Sequence, residues 1–291
     1  MSTPSSLEAA APARVGVLGG GRMGAGIAHA FLLAGAPVTV VERDDDAAAA
    51  AAARVHGSID ASLARGTAIE TAEAYRARFA TGTDAALFAD CTLVVEAVPE
   101  ELALKIDALT RVERHLAPDA ALASNTSSIS IDELAAVLDR PERFLGMHFF
   151  NPVPASTLVE VVRGGASAET LVADAASWVR ALGKTPIVVA DAPGFASSRL
   201  GVALGLEAIR MLEDGVASAA DIDAAMTLGY KHPVGPLRLT DIVGLDVRLG
   251  IAEYLAAQLG SRFEPPVLLR RLVAEGHLGR KSGRGFYEWD D

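Results

Sequence analysis

Short apolar runs alternate with longer amphipathic segments over the first two thirds of the chain. The runs are rich in Val, Leu and Ala and are bounded by Gly, Pro or charged residues, which is typical of strands buried on both faces. Predicted strands cover residues 14–18, 37–41, 92–98, 120–124, 143–150, 157–163 and 185–190. Predicted helices cover 22–34, 101–116 and 169–182, and an alanine-rich helix follows Asp44, its expected N-cap. This alternation favours an α/β fold with a mainly parallel sheet and helices on both faces.

The pattern changes after the segment Asp191-Ala192-Pro193-Gly194, where strand signals nearly vanish. We predict three regions: a disordered N-terminus over 1–12, a sheet domain over 13–192 and a smaller all-helical C-terminal domain over 193–291. Long apolar faces on so small a helical domain indicate a homodimer interface. We also expect this domain to bind substrate. Its predicted helices cover 199–212, 219–228, 247–259 and 265–275.

A glycine-rich turn follows the first predicted strand. Gly19, Gly21 and Gly24 fit the spacing G-x-G-x-x-G, and Arg22 and Met23 lie inside it. In this pattern the first glycine permits a tight turn, the second lets the backbone approach a pyrophosphate, and the third lets helix and strand pack closely. The free N–H groups at the start of the following helix would then bind the phosphates.

The position of an acidic residue after the second predicted strand supports phosphate and ribose binding at this turn. Glu42 ends the second predicted strand, 21 residues beyond Gly21, close to the spacing expected for an acid that binds ribose hydroxyls. Together these features predict a Rossmann-type, doubly wound sheet that binds a dinucleotide. Glu42 would repel a 2′-phosphate and favours NAD. Arg43 is the residue type that holds a 2′-phosphate, so NADP stays the weaker alternative.

Composition excludes several classes of function. The chain has 291 residues and a net charge of −11, which argues against nucleic acid or an anionic membrane as the main partner. Its one cysteine, Cys91, excludes an internal disulfide framework and a cysteine-rich metal site, and we expect no metal. Gly35 and Pro37 interrupt the longest uncharged stretch, and the N-terminus lacks the pattern of a signal peptide. We therefore expect a cytoplasmic protein without a membrane span.

One histidine and one glutamate are candidates for acid–base chemistry. His148 lies in an apolar, aromatic run that ends in two prolines, and Glu160 lies twelve residues later in another apolar run. A histidine can exchange protons at cellular pH, and a buried carboxylate beside it would orient the ring and stabilise the imidazolium. Alternatively, His148 is a hydrogen-bonded core residue and Glu160 is unrelated to it. Judged on these two residues alone, the second interpretation is favoured.

A polar segment follows the fourth predicted strand. Ser124-Asn125-Thr126-Ser127-Ser128 would lie at the carboxyl edge of a doubly wound sheet, where ligands bind. Its hydroxyl and amide groups could contact a cofactor or a substrate oxygen. The same residues could instead cap the helix expected near Ile131, and the two roles are compatible.

Several ordered motifs give the chain a specific resemblance. It resembles the 3-hydroxyacyl-CoA dehydrogenase family, including bacterial 3-hydroxybutyryl-CoA dehydrogenases, from about Arg14 to Tyr287. The matching segments are GGGRMGAGIA (19–28), VVEAVPEELALK (94–105), SNTSSI (124–129), GMHFFNPVP (146–154), LVEVV (158–162), DAPGF (191–195), GPLRLTDIVGLD (235–246) and LGRKSGRGFY (278–287).

The resemblance implies a reaction and a set of roles. The reaction is reversible NAD-dependent oxidation of a 3-hydroxyacyl thioester to the 3-oxoacyl thioester, with His148 as general base and Glu160 as its carboxylate partner. Ser127 would contact the reacting oxygen and the cofactor, and Asn151 would contact substrate and cofactor. The further cofactor contacts that the family implies are Glu100, Lys105 and, more loosely, Lys281.

The sequence departs from the family at one implied catalytic position. The family reads Pro-Gly-Phe-x-x-Asn-Arg, and here the run Pro193 to Arg199 has Ser198 in place of the asparagine. A hydroxyl donates one hydrogen bond and reaches less far than a carboxamide. Ser198 could act directly or through a water, the enzyme could be slow on ordinary substrates, or its substrate could differ near C3.

A second departure concerns the carrier of the acyl group. Family members often have several lysines in the region of 54–67, suited to coenzyme A phosphates, whereas this chain has Arg54 and Arg65. Arg65 is our candidate for binding substrate there, although a variable solvated helix would look the same. The alternatives are a hydroxyacyl group on an acyl carrier protein, a free hydroxy acid, and an NAD-binding protein with impaired catalysis.

Overall fold

The computed structural model describes residues 10–289, so most of the predicted disordered segment 1–12 lies outside the described residues. The chain divides into two compact units, the first ending at Asp191 and the second beginning at Ala192. Within the described residues, no helix is long and apolar enough to cross a membrane.

The first unit is an eight-stranded sheet flanked by helices. Its strands are β1 (Val15–Leu18), β2 (Val38–Val41), β3 (Phe79–Gly82), β4 (Leu93–Glu96), β5 (Ala121–Ser124), β6 (Phe144–Phe149), β7 (Leu158–Arg163) and β8 (Thr185–Ala190). Its helices are α1 (Arg22–Leu33), α2 (Asp45–Ala64), α3 (Ala72–Ala77), α4 (Leu102–Glu113), α5 (Ile131–Ala135) and α6 (Glu169–Ala181).

The strands lie in the order β3-β2-β1-β4-β5-β6-β7-β8. β6 and β7 pair antiparallel, whereas every other neighbouring pair is parallel. All four residues of β1, β2, β4 and β5 are buried, which explains their continuous apolar character. The order reverses at β1, between β2 and β4, and this switch point opens a crevice at the carboxyl ends of the strands. The predicted Rossmann-type fold is confirmed.

One strand of the sheet was not predicted from the sequence. β3 pairs with β2 at the edge of the sheet, and none of its four residues is fully buried. The edge position does not require an apolar run, so the segment carries no strand signal. By contrast, Asp44 caps α2 as predicted, because its carboxylate accepts a hydrogen bond from the N–H of Ala47 at 2.7 Å.

The second unit is helical. It contains α7 (Ser197–Glu213), α8 (Ala219–Ala224), α9 (Pro236–Val243), α10 (Leu245–Leu259) and α11 (Val267–Ala274), and a π-helical turn continues α8 over Ala225–Gly229. α9 was not predicted. It begins with Pro236, which the first turn of a helix tolerates, and it spans only eight residues.

Two buried aspartates fix the end of the second unit. Asp241 accepts hydrogen bonds from the N–H groups of Phe286 and Tyr287, both at 2.9 Å, and from the indole of Trp289 at 2.8 Å. Asp223 accepts one from the hydroxyl of Tyr287 at 2.7 Å. These bonds hold the C-terminal segment, including the short turn Arg280–Ser282, against the helices.

The packing of α1 against α2 makes stability depend on pH. His29 of α1 is 1% exposed, and the hydroxyl of Ser62 on α2 lies 3.1 Å from its Nε2 atom. Burial, with smaller contributions from Arg65 and Lys184, lowers the pKa of His29 from 6.5 to about 4. The unfolded chain therefore binds more protons between these values, so the free energy of unfolding falls as pH falls through this window.

We expect the substitution His29→Gln to remove this part of the acid sensitivity. Between about pH 7 and about pH 5, the loss of unfolding free energy should be smaller in the variant by about 2 kcal/mol. Urea unfolding at the two pH values measures it. The control is His115→Gln, since His115 is exposed and its replacement should leave the pH dependence intact. Equal acid sensitivity in His29→Gln and the unsubstituted protein would contradict the argument.

Candidate active site

A buried histidine–carboxylate pair bridges the antiparallel strands of the sheet. His148 of β6 stands directly opposite Glu160 of β7, so both side chains lie on the same face. His148 Nδ1 lies 2.8 Å from Glu160 Oε2, and the two residues are 6% and 0% exposed. Because a carboxylate only accepts hydrogen bonds, Nδ1 carries the proton and Nε2 keeps its lone pair. This arrangement can accept a proton at Nε2 while Glu160 stabilises the imidazolium.

Neighbouring groups hold the carboxyl end of β6. The N–H of Phe149 donates a hydrogen bond to Asn125 Oδ1 at 2.9 Å, which ties this strand to the segment after β5. The ring of Phe150 lies 4.4 Å from the His148 ring, centroid to centroid. The histidine is therefore fixed by a carboxylate on one side and by an aromatic ring on another.

The glycine turn has the close packing that the motif predicts. Gly19 adopts a positive φ of +91°, which favours glycine. A Cβ atom at Gly24 would lie 1.8 Å from the carbonyl oxygen of Gly19, so only glycine fits there. At Gly21, by contrast, a Cβ atom would meet nothing within 4 Å. Arg22 and Met23 begin α1, whose N-terminus has no side-chain cap, so its first N–H groups can bind a phosphate.

Glu42 is bound to this turn. Its carboxylate accepts hydrogen bonds from the N–H of Gly20 at 2.7 Å and from the N–H of Arg43 at 3.2 Å. Glu42 and Arg43 line an open groove together with Gly21, Asp44, Asp46, Ala47, Ala50 and Arg54. The Arg43 guanidinium is exposed and is held by Asp44 at 2.9 Å. The groove and the uncapped helix fit the adenosine and pyrophosphate parts of a dinucleotide.

Glu100 organises the polar segment after β5. One oxygen of its carboxylate accepts hydrogen bonds from the Thr126 hydroxyl at 2.6 Å and from the Ser127 N–H at 2.8 Å. The same oxygen lies 3.2 Å from the Ser127 hydroxyl. Burial opposes the charge of Glu100, but the nearby Lys105 and these hydrogen bonds outweigh it and lower the pKa of the carboxyl. An ionised Glu100 therefore fixes the backbone on which Ser127 sits.

Lys105 lies in a buried cluster of charges that links α4 to two strands. It is 1% exposed, and its ammonium lies 2.7 Å from Glu96 Oε1, 3.3 Å from the carbonyl oxygen of Val98 and 3.3 Å from Glu100 Oε2. Glu96, at the carboxyl end of β4, also accepts a hydrogen bond from the Ser124 hydroxyl at 2.5 Å. All three ammonium protons thus have acceptors inside the first unit.

Sequence analysis did not identify Glu96. The available signal was an acid inside the predicted apolar strand 92–98, because a buried carboxylate needs a partner. That partner is Lys105, nine residues further along the chain. Glu96 therefore joins Glu100 and Lys105 in positioning the segments that face the ligand crevice.

Four other predicted site residues lie outside the clusters described above. Asn151 is exposed two residues after the end of β6, at a cis peptide bond to Pro152, and Arg65 is exposed at the end of α2. Ser198 lies in the first turn of α7, and Lys281 forms an ion pair with Asp246 at 2.6 Å. Ser198 and Lys281 belong to the second unit, and the other predicted site residues belong to the first.

Known proteins match almost the whole chain. The family model "3-hydroxyacyl-CoA dehydrogenase, NAD binding domain" matches residues 14–192, and "3-hydroxyacyl-CoA dehydrogenase, C-terminal domain" matches residues 194–289. A 3-hydroxybutyryl-CoA dehydrogenase of Mycobacterium tuberculosis is 42% identical over 286 residues, which cover 95% of this chain and 98% of that protein. The human mitochondrial hydroxyacyl-coenzyme A dehydrogenase is 38% identical, covering 99% of this chain and 96% of that protein.

Solved structures show the same similarity. The crystal structure of (S)-3-hydroxybutyryl-CoA dehydrogenase from Ralstonia eutropha matches with a TM-score of 0.92 and 39% identity, covering 97% of this chain and 100% of that one. The 3-hydroxybutyryl-CoA dehydrogenase from Escherichia coli matches with a TM-score of 0.91 and 37% identity, covering 96% of this chain and 60% of that one. The chain therefore belongs to the 3-hydroxyacyl-CoA dehydrogenase family, as its motifs predicted, and is an NAD-dependent oxidoreductase.

Proposed function

We propose that the protein catalyses the reversible oxidation of a short-chain 3-hydroxyacyl-CoA to the 3-oxoacyl-CoA, with NAD as hydride acceptor. The buried His148–Glu160 pair, 2.8 Å apart on facing strands, carries this proposal. Relatives named 3-hydroxybutyryl-CoA dehydrogenase, at about 40% identity over nearly the whole chain, support the choice of a short acyl group. The human relative carries the broader name hydroxyacyl-coenzyme A dehydrogenase.

His148 is the general base of this proposal. Its Nε2 atom takes the proton of the 3-hydroxyl group while the hydride leaves C3 of the substrate. Glu160 stabilises the imidazolium that forms, because its carboxylate accepts the Nδ1 proton of the ring. In the reverse direction the imidazolium returns the proton to the 3-oxo group. Ser127, and Ser198 where the family has asparagine, are the proposed partners of the reacting oxygen and the thioester.

NAD, when bound, supplies the nicotinamide that accepts the hydride. The glycine turn would hold the pyrophosphate, and Glu42 would accept hydrogen bonds from the ribose hydroxyls. The full set of proposed cofactor residues is Gly19, Gly21, Arg22, Met23, Gly24, Glu42, Glu100, Lys105, Ser127, Asn151 and Lys281. Because its ammonium is already surrounded by acceptors, Lys105 would act on the cofactor mainly through Glu100.

The proposal also includes residues that would contact the acyl thioester and its carrier. Asn151 and Ser127 would contact the acyl thioester, and the exposed Arg65 would attract the phosphates of its carrier. Arg54 of α2 donates a hydrogen bond to the carbonyl of Gly20 at 3.2 Å, so it sits beside the cofactor turn. This leaves few cations on α2 for coenzyme A, which keeps an acyl carrier protein as a candidate carrier.

The second unit is the proposed dimer interface. Large apolar side chains on α9 and at the start of α10 are 37% to 43% exposed: Leu239, Ile242, Val243 and Val247. Burial of such side chains against a second copy would remove them from water, which favours association.

The most direct test compares one acyl group on two different carriers and as the free acid. NADH formation should be fast with 3-hydroxybutyryl-CoA and much slower with the matched acyl carrier protein thioester and with free 3-hydroxybutyrate. A preference for the carrier-protein thioester or the free acid would replace the proposed substrate. Tight NAD binding without turnover of any of the three would indicate a protein that has lost catalysis.

Replacement of the base should reduce turnover strongly. We expect His148→Gln to lower kcat by ~10²–10⁴-fold, because a carboxamide cannot accept the hydroxyl proton. Glu160→Gln should also lower kcat, since it removes the charge that stabilises the imidazolium. Both effects are measured by NADH absorbance.

The matched control for the second variant is Glu169→Gln, since Glu169 is exposed at the start of α6 and forms a surface ion pair with Arg163. Its kinetics should equal those of the unsubstituted protein. Full turnover by His148→Gln would rule out the proposed mechanism.

The serine at the family's asparagine position generates a separate prediction. If Ser198 adapts the site to another substrate, Ser198→Asn should raise kcat/KM for 3-hydroxybutyryl-CoA, because a carboxamide reaches further and adds a second donor. A rise of about tenfold corresponds to one good hydrogen bond in the transition state. Steady-state kinetics of the two proteins measures it, and unchanged kinetics would mean that Ser198 does not alter substrate preference.

A further inference from the structure

A lysine holds the loop that joins the two strands of the histidine–carboxylate pair. This β6–β7 loop consists of residues 150–157. Lys184 directly precedes β8, and its ammonium donates hydrogen bonds to two carbonyl oxygens of the loop, at 2.6 Å to Val153 and at 2.5 Å to Ser156. The loop is therefore tied to the start of β8, the strand that pairs with β7.

These two carbonyl groups need a donor from outside the loop. Inside it, the N–H groups of Ala155 and Ser156 both donate to the carbonyl oxygen of Pro152 at 3.0 Å. Among residues 10–289, no backbone N–H group donates to the carbonyl oxygens of Val153 and Ser156. A carbonyl group withdrawn from water without a donor costs free energy, so the Lys184 ammonium stabilises this conformation of the loop.

Lysine is an uncommon residue in this chain. Of its 26 lysines and arginines, 4 are lysines and 22 are arginines. An ammonium is a compact cation that fits between two oxygen atoms, whereas a guanidinium is a wide planar fork. A lysine at position 184 is therefore a specific choice for a compact donor.

The position of this cation is costly. Burial lowers the pKa of Lys184, and its ammonium takes part in no ion pair within the described part of the chain. A partly buried cation without a carboxylate partner opposes folding unless other groups compensate. The two carbonyl groups of the loop are the compensation that the structure shows.

Helix α1 fixes the same loop from another side. Val153 is 2% exposed, and a Cβ atom at Gly26 of α1 would lie 2.9 Å from its Cβ atom. The glycine thus lets the loop approach α1 closely. Asn151 is exposed in this loop, two residues before Val153. Because β6 runs parallel to β5, the loop lies at the carboxyl edge of the sheet, where ligands bind.

We infer that Lys184 is a positioning residue for the reaction: its ammonium holds the β6–β7 loop so that Asn151 keeps its place beside cofactor and substrate. This inference rests on the proposed function, in which Asn151 contacts both. Lys184 acts through the loop and makes no contact with the reacting atoms. A displacement of about 1 Å in a positioned group can reduce a rate by ~10²-fold, so a small movement of the loop would be measurable.

Hydrogen–deuterium exchange in the cofactor-free, full-length protein tests whether Lys184 holds the loop. Lys184→Met removes the ammonium and keeps an apolar stem, so a peptide spanning residues 150–157 should exchange faster. The matched control is Arg180→Met, because Arg180 is an exposed cation four residues earlier, in the last turn of α6. In this control the loop should exchange as in the unsubstituted protein.

A double-mutant cycle with Asn151→Ala tests whether the loop transmits the effect. Lys184→Met should lower kcat/KM for 3-hydroxybutyryl-CoA by about 10- to 100-fold. In the Asn151→Ala background the same substitution should lower it by no more than about twofold, because the side chain that Lys184 positions is already absent. A residue that only stabilised the fold would lower kcat/KM equally in both backgrounds.

A second variant keeps the test decisive if Lys184→Met does not fold. Lys184→Arg preserves the positive charge, but its planar guanidinium cannot place one compact donor between the two carbonyl oxygens. We expect faster exchange of the loop and a lower kcat/KM in this variant, with the same dependence on Asn151.

Three results would overturn the inference: unchanged exchange of the loop in the Lys184 variants, unchanged kcat/KM, and equal losses of kcat/KM in the two backgrounds. Failure of the proposed function looks different, because the unsubstituted protein would then oxidise no 3-hydroxyacyl-CoA. The role of Lys184 in the reaction would fail with it, while the exchange comparison would still show whether Lys184 holds the loop.

Discussion

The hydrogen bond between His148 and Glu160 is the interaction on which the site depends. It exists because β6 and β7 run antiparallel and meet in a register that sets the two residues opposite each other. The surrounding strands are apolar and buried, so neither polar side chain could stay there alone without a large loss of stability. The bond thus satisfies both buried groups and also leaves Nε2 as the atom that can accept a proton.

Carboxylates at the neighbouring strand ends also hold the structure together. Glu96, the last residue of β4, accepts a hydrogen bond from Ser124 of β5. Glu100 accepts hydrogen bonds from hydroxyl and N–H groups of the segment that contains Ser127. Lys105 connects the two acids. In the same way Glu42 is bound to the N–H of Gly20 and ties β2 to the glycine turn. Charged groups thereby hold the loops at the carboxyl edge of the sheet in place.

Much of the fold of the first unit could be predicted from the sequence, because the alternation of apolar runs and amphipathic segments shows which residues are buried. The parallel sheet, the glycine turn and the acid at the end of β2 follow from local pattern and spacing. β3 could not be found, since an edge strand with half-exposed residues has no apolar signal. α9 was missed because it spans only eight residues and begins with a proline directly after a glycine.

Partners that are distant in sequence could not be predicted from pattern alone. The apolar run around Glu96 gave no indication that Lys105 would neutralise it, and nothing in the C-terminal segment showed that Asp241 would bind its backbone. Likewise, nothing in the predicted helix 247–259 showed that Arg248 would be buried without a counter-charge among the described residues. Such contacts depend on the tertiary structure, which the family resemblance supplies only in outline.

The central claim is that Glu160 accepts the Nδ1 proton of His148, so that Nε2 is the ring atom that takes the proton of the substrate. Nitrogen NMR of protein labelled in its histidine rings measures this directly, at a pH where the His148 imidazole is neutral. The account predicts that His148 has its proton on Nδ1 and that Glu160→Gln weakens the hydrogen bond of that proton. A spectrum in which the neutral His148 ring carries its proton on Nε2 would contradict the account.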